Sequence, residues 1–278
     1  MRTINVHVQF LEEILGTASS DPDIHRRFIA SKAQDAPKIE EEVAAIGADA
    51  VEERGTTVFP RTPDGRPMYF DYQIKGFFKD ACGMLRRVSG YRSKDLRAYK
   101  KEIDGLIFPA PRMIPLNVPD ATWTTGAGAT VTVTPVYGCD EVNVTLVATD
   151  RGHGPVEARL LADGHDTGMV ATLDAGNGWS HTFHGLRRWW VGECQRPLRA
   201  QTAQGERVAL AHSEALPAGT TLDMQVACLV DDDVKYVLEW LQYGAMRGIG
   251  QWRNSGKGRF ACRVTEGSKV LLDNIPAE

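Results

Sequence analysis

Between Lys101 and Lys235 the sequence contains no lysine. Nowhere does it contain an apolar run approaching the ~20 residues that a membrane-spanning helix needs. The opening residues, Met1-Arg2-Thr3-Ile4-Asn5, lack an apolar signal core. Cysteines 82, 139, 194, 228 and 262 are odd in number, scattered and without C-x-x-C spacing. That pattern argues against a disulfide framework and against a zinc site, and the expected setting is a reducing cytoplasm. There is no Ser–His–Asp order and no nucleotide P-loop, so neither triad hydrolysis nor nucleotide hydrolysis is indicated. No cofactor and no metal is expected.

Charge is present but unevenly placed. The 278-residue chain has a net charge of −4. Residues 74–101 carry nine Lys/Arg against Asp80 and Asp95, and residues 244–260 carry Arg247, Arg253, Lys257 and Arg259 with no acid. Residues 11–54 and 119–193 are acidic. Two basic segments on an acidic chain point to a local anion site rather than to a protein wrapped in nucleic acid.

Hydrophobic periodicity sets the organisation. Ile4, Val6, Val8 and Phe10 alternate with Asn5, His7 and Gln9, which reads as a half-buried strand over 3–10. A helical stretch is expected over about 24–53, capped by Asp21 and Asp23 and interrupted at Pro37. A short strand follows at about 68–73. Phe77, Ala81, Leu85 and Val88 recur at helical spacing, so 75–88 reads as an amphipathic helix. Strands are expected around 104–109 and 112–117.

Composition shifts at Pro119. Residues 119–192 are rich in Thr, Val, Gly and Asp, with alternating segments at 130–136, 142–149, 156–162, 169–173 and 179–184. They read as an inserted all-β sandwich. Strands are expected next at 196–202, 207–213 and 220–230. Asp231-Asp232-Asp233 can cap a helix whose apolar stripe is Val234, Leu238, Leu241 and Ala245. Strands then follow at 259–265 and 269–273. Without the insertion the order is βαββαβ with elaborations, an α+β ferredoxin-like layout. The expected division is a discontinuous core, 1–118 and 193–278, around the insertion at 119–192.

Between the last helix and the strand that follows it lies Gly248-Ile249-Gly250-Gln251-Trp252-Arg253-Asn254-Ser255-Gly256-Lys257-Gly258. Arg247 and Arg259 flank it. Glycine reaches positive φ without a Cβ clash, so such a loop can turn backbone N–H groups toward an anion. The candidate anion-contacting residues are Arg247, Gly248, Gly250, Trp252, Arg253, Gly256, Lys257, Gly258 and Arg259. Lys75 and Lys79 join them if the first helix runs beside the loop. Trp252 could stack on a base.

This loop resembles that of the repeat-associated RNA-binding (RAMP) superfamily of CRISPR systems, whose signature is G-h-G-x5-G-h-G with h apolar. Gly248-Ile249-Gly250, five residues including Arg253, then Gly256-Lys257-Gly258 match the spacing, although Lys257 stands where an apolar residue is usual. Tyr72 to Ala81 is similar to the segment that opens that superfamily's first helix, and Leu216-Pro217-Ala218-Gly219-Thr220 to a later strand entry. The core also resembles proteins encoded by prophages. Residues 160–164, 171–175, Trp179, Phe183 and Leu186 resemble a collagen-adhesin B-type repeat, an immunoglobulin-like sandwich. Without a lysine, the isopeptide crosslink common in such repeats cannot form there.

The resemblance implies a non-catalytic, phage-derived RNA-binding protein. A second reading is an anti-CRISPR factor docking onto a CRISPR effector subunit, with the insertion available for protein contact. A third is a guide-RNA endoribonuclease using His7 or His25 as general base. His181-x-x-His184 is no metal pair, because i and i+3 on a strand face opposite ways.

Overall fold

The computed structural model describes residues 1–19, 56–124, 129–133, 141–148, 156–162, 170–174, 180–184, 191–202 and 205–277. These form a mixed α/β structure with several sheets and few helices. The helical expectation over 24–53, and with it His25, lies outside the described residues, as do Trp179 and Leu186.

The principal sheet comes from both ends of the chain. Its strands are β1 (Arg2–Phe10), β2 (Ile107–Ala110), β3 (Thr221–Cys228), β4 (Phe260–Glu266) and β5 (Lys269–Asp273). Their order is β5-β4-β1-β3-β2, with every neighbouring pair antiparallel. The helices are α1 (Asp71–Leu85), α2 (Tyr99–Leu106) and α3 (Val234–Arg247). The chain runs from β1 through α1 and α2 to β2, skipping the position of β3. It runs from β3 through α3 to β4, skipping β1. Two strand–helix–strand crossovers are thus interleaved.

Alternation decides the faces of β1. Ile4, Val6, Val8 and Phe10 are buried, while Asn5, His7 and Gln9 point the other way. The buried row meets Ile74, Phe77, Phe78, Ala81 and Leu85 of α1 and Val237, Trp240 and Leu241 of α3. Helix α1 starts at Asp71, four residues earlier than the periodicity suggests, because the Gln73 side chain accepts the Phe70 N–H at 2.7 Å. It ends at Leu85, before Val88. The strand expected at 104–109 begins only at Ile107. Residues 99–106 are helical, and burial of Ile103 orients that helix.

Helix α3 packs closely on the sheet through a glycine. A Cβ on Gly244 would fall 2.2 Å from the Phe260 ring. The aspartates before α3 do not cap it with their side chains. Asp231–Asp233 form a 3-10 turn instead. There Asp231 pairs with the N-terminal ammonium at 2.7 Å, and Asp232 pairs with Lys235. Their charge still sits at the positive end of the helix dipole.

A clamp joins α3 to the segment between α1 and α2. Glu239 accepts the Arg92 N–H at 2.7 Å, the Ser93 N–H at 2.9 Å and the Ser93 hydroxyl. Trp240 Nε1 donates to the same hydroxyl at 2.9 Å. Ser93 is fully buried.

Three further sheets accompany it, the smallest pairing Met68–Phe70 with Met113–Pro115. A long hairpin, Gly192–Thr202 and Gly205–Leu216, pairs with Ile14–Leu15 and, through its second strand, with Thr57–Val58. The strands from Ala121–Thr124 to Ser180–His184 form a single sheet of six, each paired with its sequence neighbour. These pairings alone do not make the expected sandwich. The Greek-key crossover of an immunoglobulin-like sandwich is not among the described pairings.

Two outcomes follow. Glu239→Ala strips the buried Ser93 N–H and hydroxyl of their acceptor. It should lower stability by about 2–3 kcal/mol in urea titration, with Glu239→Gln costing less. Burial raises the thiol pKa of Cys82 to about 11 and those of Cys228 and Cys262 to about 12. At pH 8 only about one in a thousand Cys82 side chains is then thiolate. Of the four described cysteines, half-buried Cys194 should therefore react first with a thiol reagent in the native protein.

Candidate nucleic-acid interface

The glycine loop closes on itself. Gly248 ends α3 with φ 72°, and its N–H donates to Gly244 O at 3.0 Å. Ile249 N–H then donates to Gly258 O at 2.9 Å, and Gly258 N–H donates to Glu13 O at 2.8 Å. The two G-x-G pairs therefore lie backbone against backbone. A Cβ on Gly258 would sit 1.9 Å from the Ile249 carbonyl oxygen, and one on Gly248 would sit 2.7 Å from Gly258 C. Gly250 and Gly256 also take positive φ. The spacing of the four glycines is thus explained first by close backbone approach.

The five residues between the pairs are not featureless. Arg253–Ser255 make a 3-10 turn. Trp252 precedes it at φ 52°, the one non-glycine with positive φ among the described residues. Its side chain is partly exposed rather than plugged into the core. Gln251 Nε2 donates to Gly16 O at 2.9 Å, and Arg196 of the hairpin donates to the Gln251 side-chain oxygen. The loop is thereby tied to the second sheet. The Tyr69 hydroxyl is buried beneath Gly250 without a hydrogen-bond partner, and burial pushes its pKa up.

The loop's cations are largely engaged. Asp80 of α1 stands between two guanidiniums. Arg247 Nε is 2.9 Å and Arg253 Nη1 2.7 Å from its Oδ2. Arg247 also donates to Asn254 Oδ1 at 3.1 Å. The bond to Asp80 raises the Arg247 pKa. Lys257 pairs with Glu13, and its pKa is raised for the same reason. Lys257 thus reaches a carboxylate from the second G-x-G pair. Arg259 is exposed, and no ion pair holds it among the described residues.

Lys75 and Lys79 do not join the loop. Lys75 donates to Asp104 O at 2.9 Å and lies over the Phe108 ring, and burial lowers its pKa. Lys79 pairs with Asp104 at 2.5 Å. Successive helix residues turn by about 100°. Lys79 therefore faces α2, while its neighbour Asp80 faces α3. The acid at position 80, which sequence reading treated only as a charge to subtract, is the residue that organises the basic loop. Its signal was its place inside a basic helix, but nothing local says which helix end it meets.

The other face of the sheet carries His7. Its Nδ1 is 2.7 Å from Asp223 Oδ1. The strand register places Asp223, His7, Arg263 and Asp273 in one cross-strand row. That row borders a concavity of about 690 Å³ lined also by Asn5, Gln225, Thr265 and Pro111. A carboxylate holding a histidine can orient a general base. The row offers no second proton-transfer group besides carboxylates. Among the described residues no three His, Cys, Asp or Glu side chains cluster as a metal site, and no helix is long and apolar enough to cross a membrane.

No family model and no curated protein matches the chain. Solved structures do. A type III-B Cmr-beta complex bound to cognate target RNA matches at 8% identity and a TM-score of 0.41, over 96% of this chain. The match spans 61% of that structure's chain, so this chain covers about three-fifths of it. Oligomeric Cmr4 from Pyrococcus furiosus matches at 11% identity and a TM-score of 0.38, over 96% of this chain and 99% of that one. A type IV-B CRISPR complex matches at 12% identity and a TM-score of 0.33, over 99% and 95%.

Two glycine substitutions separate close approach from simple turning. Gly258→Ala should cost more than ~2 kcal/mol, since a backbone oxygen occupies the Cβ position. Gly256→Ala should cost about 1 kcal/mol, the price of left-handed φ alone, because its nearest neighbour is the flexible Arg259 side chain at 3.7 Å. Urea unfolding of both variants measures the difference.

Proposed function

We propose that this chain is a CRISPR-associated RNA-binding protein of the repeat-associated type, non-catalytic, with a ferredoxin-like core. The observation that carries the reading is the glycine loop, folded as two stacked G-x-G pairs between α3 and β4. The strand order β4-β1-β3-β2 with two interleaved crossovers supports the core assignment. The loop offers Trp252 and Arg259 at the surface beside Asn254 and Ser255, with Arg253 half-buried against Asp80. These suit a phosphate backbone with one stacked base.

Asp80 sets the terms of that contact. Its carboxylate occupies the position between Arg247 and Arg253 that an RNA phosphate would take. Binding therefore exchanges one anion for another, and the intrinsic affinity of the loop is modest. Catalysis is not part of the reading, because His7 and Asp223 sit on the opposite side of the sheet from α1 and α3.

Anisotropy titration with a short labelled RNA at fixed salt tests this reading. Asp80→Asn, which frees both guanidiniums, should tighten binding by about 3–10-fold, and Arg253→Ala should weaken it by a similar factor. His7→Ala should leave affinity unchanged. If neither Asp80→Asn nor Arg253→Ala moves the affinity, RNA does not touch the loop.

A further inference from the structure

The helical layer carries a second group of cations that the loop reading leaves unused. Residues 86–101 hold seven Lys/Arg against Asp95 alone. Six of these, Arg87, Arg92, Lys94, Arg97, Lys100 and Lys101, are exposed. No ion pair holds any of the six among the described residues. The contrast with the rest of the layer is plain. Lys75, Lys79, Arg247, Arg253 and Lys257 all have oxygen partners.

The segment bearing these cations is held in shape. Glu239 and Trp240 grip Arg92 and Ser93, as described above. Leu96 and Ile103 anchor it in the core, and Arg86 lies over the Tyr99 ring at 5.1 Å. The charged side chains therefore project from a fixed backbone, so their order is set before any ligand arrives. The grip at Glu239 lies eight residues before Arg247 on α3, about 12 Å along the helix. The surface is thus separate from the glycine loop but within a few nucleotides of it.

We infer that residues 86–101 form a second nucleic-acid surface, which takes the phosphodiester backbone of a single strand continuing beyond the glycine loop. The inference rests on the RNA-binding reading above and assigns most of the electrostatic affinity to this surface. Six exposed like charges within residues 87–101 repel each other, and among the described residues none of them is ion-paired with a carboxylate. A polyphosphate strand supplies one negative charge per nucleotide without needing a matched side-chain geometry. The loop, whose cations other than Arg259 are already paired, contributes position more than charge.

Salt dependence measures the number of phosphates neutralised. For single strands the slope of log affinity against log salt is about −0.7 per phosphate contact. The test uses the whole protein and a labelled 20-nucleotide RNA between 50 and 200 mM salt. The variants are Lys94→Gln with Arg97→Gln and Lys101→Gln, and separately Arg253→Ala. All three substituted side chains of the triple variant are exposed, and circular dichroism with a melting curve checks its fold. The expected result is a slope shallower by about 2 and affinity at 100 mM salt lower by about tenfold or more for the triple variant. A single-stranded DNA of the same sequence should show the same loss of slope. If the triple variant keeps wild-type slope and affinity while Arg253→Ala weakens binding, the surface is overturned and the loop reading stands. If the wild-type protein binds no RNA at 50 mM salt, both fall. If an oligoglutamate of equal charge displaces RNA as well as unlabelled RNA does, the surface is an acidic-protein site and the inference is overturned.

Discussion

The central strand β1 is the constraint on which the rest depends. It pairs with residues 221–228 on one side and 260–266 on the other, joining segments more than 200 positions away in sequence. Its alternation leaves one register. A slip of one residue would push Asn5, His7 and Gln9 into the core and Ile4, Val6 and Val8 out of it. From its far end the same strand reaches the glycine loop. Leu11 N–H donates to Arg259 O at 2.8 Å, and Glu13 supplies both a carbonyl for Gly258 and a carboxylate for Lys257. The position of the loop is therefore a consequence of the register of β1.

Charge placement follows from the helix geometry around that sheet. Helix α1 has a basic edge toward α2 and one acid toward α3. The charges of the two basic segments, which look in the sequence like halves of one site, are linked through Asp80. One has all its cations but Arg259 paired with acids from α1 and from the turn after β1. In the other, beyond Leu85, the six exposed cations have no ion-pair partner among the described residues, and Glu239 fixes the backbone. An acidic chain can thus present an electropositive face without a basic composition, because the acids are spent elsewhere.

Much of this was legible before the structure. The alternation of β1, the helical stripe Val234–Ala245 and the break at Gly248 gave those elements to within about a residue. The strands at 156–162 and 269–273 are as read. The misreadings have local causes. Residues 104–106 look extended because Ile103 and Leu106 flank a glycine, yet burial of Ile103 against α1 favours a helix. Asp231–Asp233 look like a cap but make a separate turn. The partners of the strands in 119–192 were not legible, because alternation identifies strands and not their partners. A meander and a Greek key share one hydrophobic pattern.

The glycine loop shows the same division. Its composition, its place between a helix and a strand, and its need for positive φ were all determined by the sequence alone, since they follow from local sterics. The tertiary structure decided what the glycines touch and where the charges go. Gly248 and Gly258 are ten residues apart and meet because α3 and β4 pack side by side on β1. Asp80 and Glu13 come from distant turns of the chain to engage Arg247, Arg253 and Lys257. Pairing across such separations depends on the register of the sheet and the rotation of the helices on it, and no local pattern encodes either.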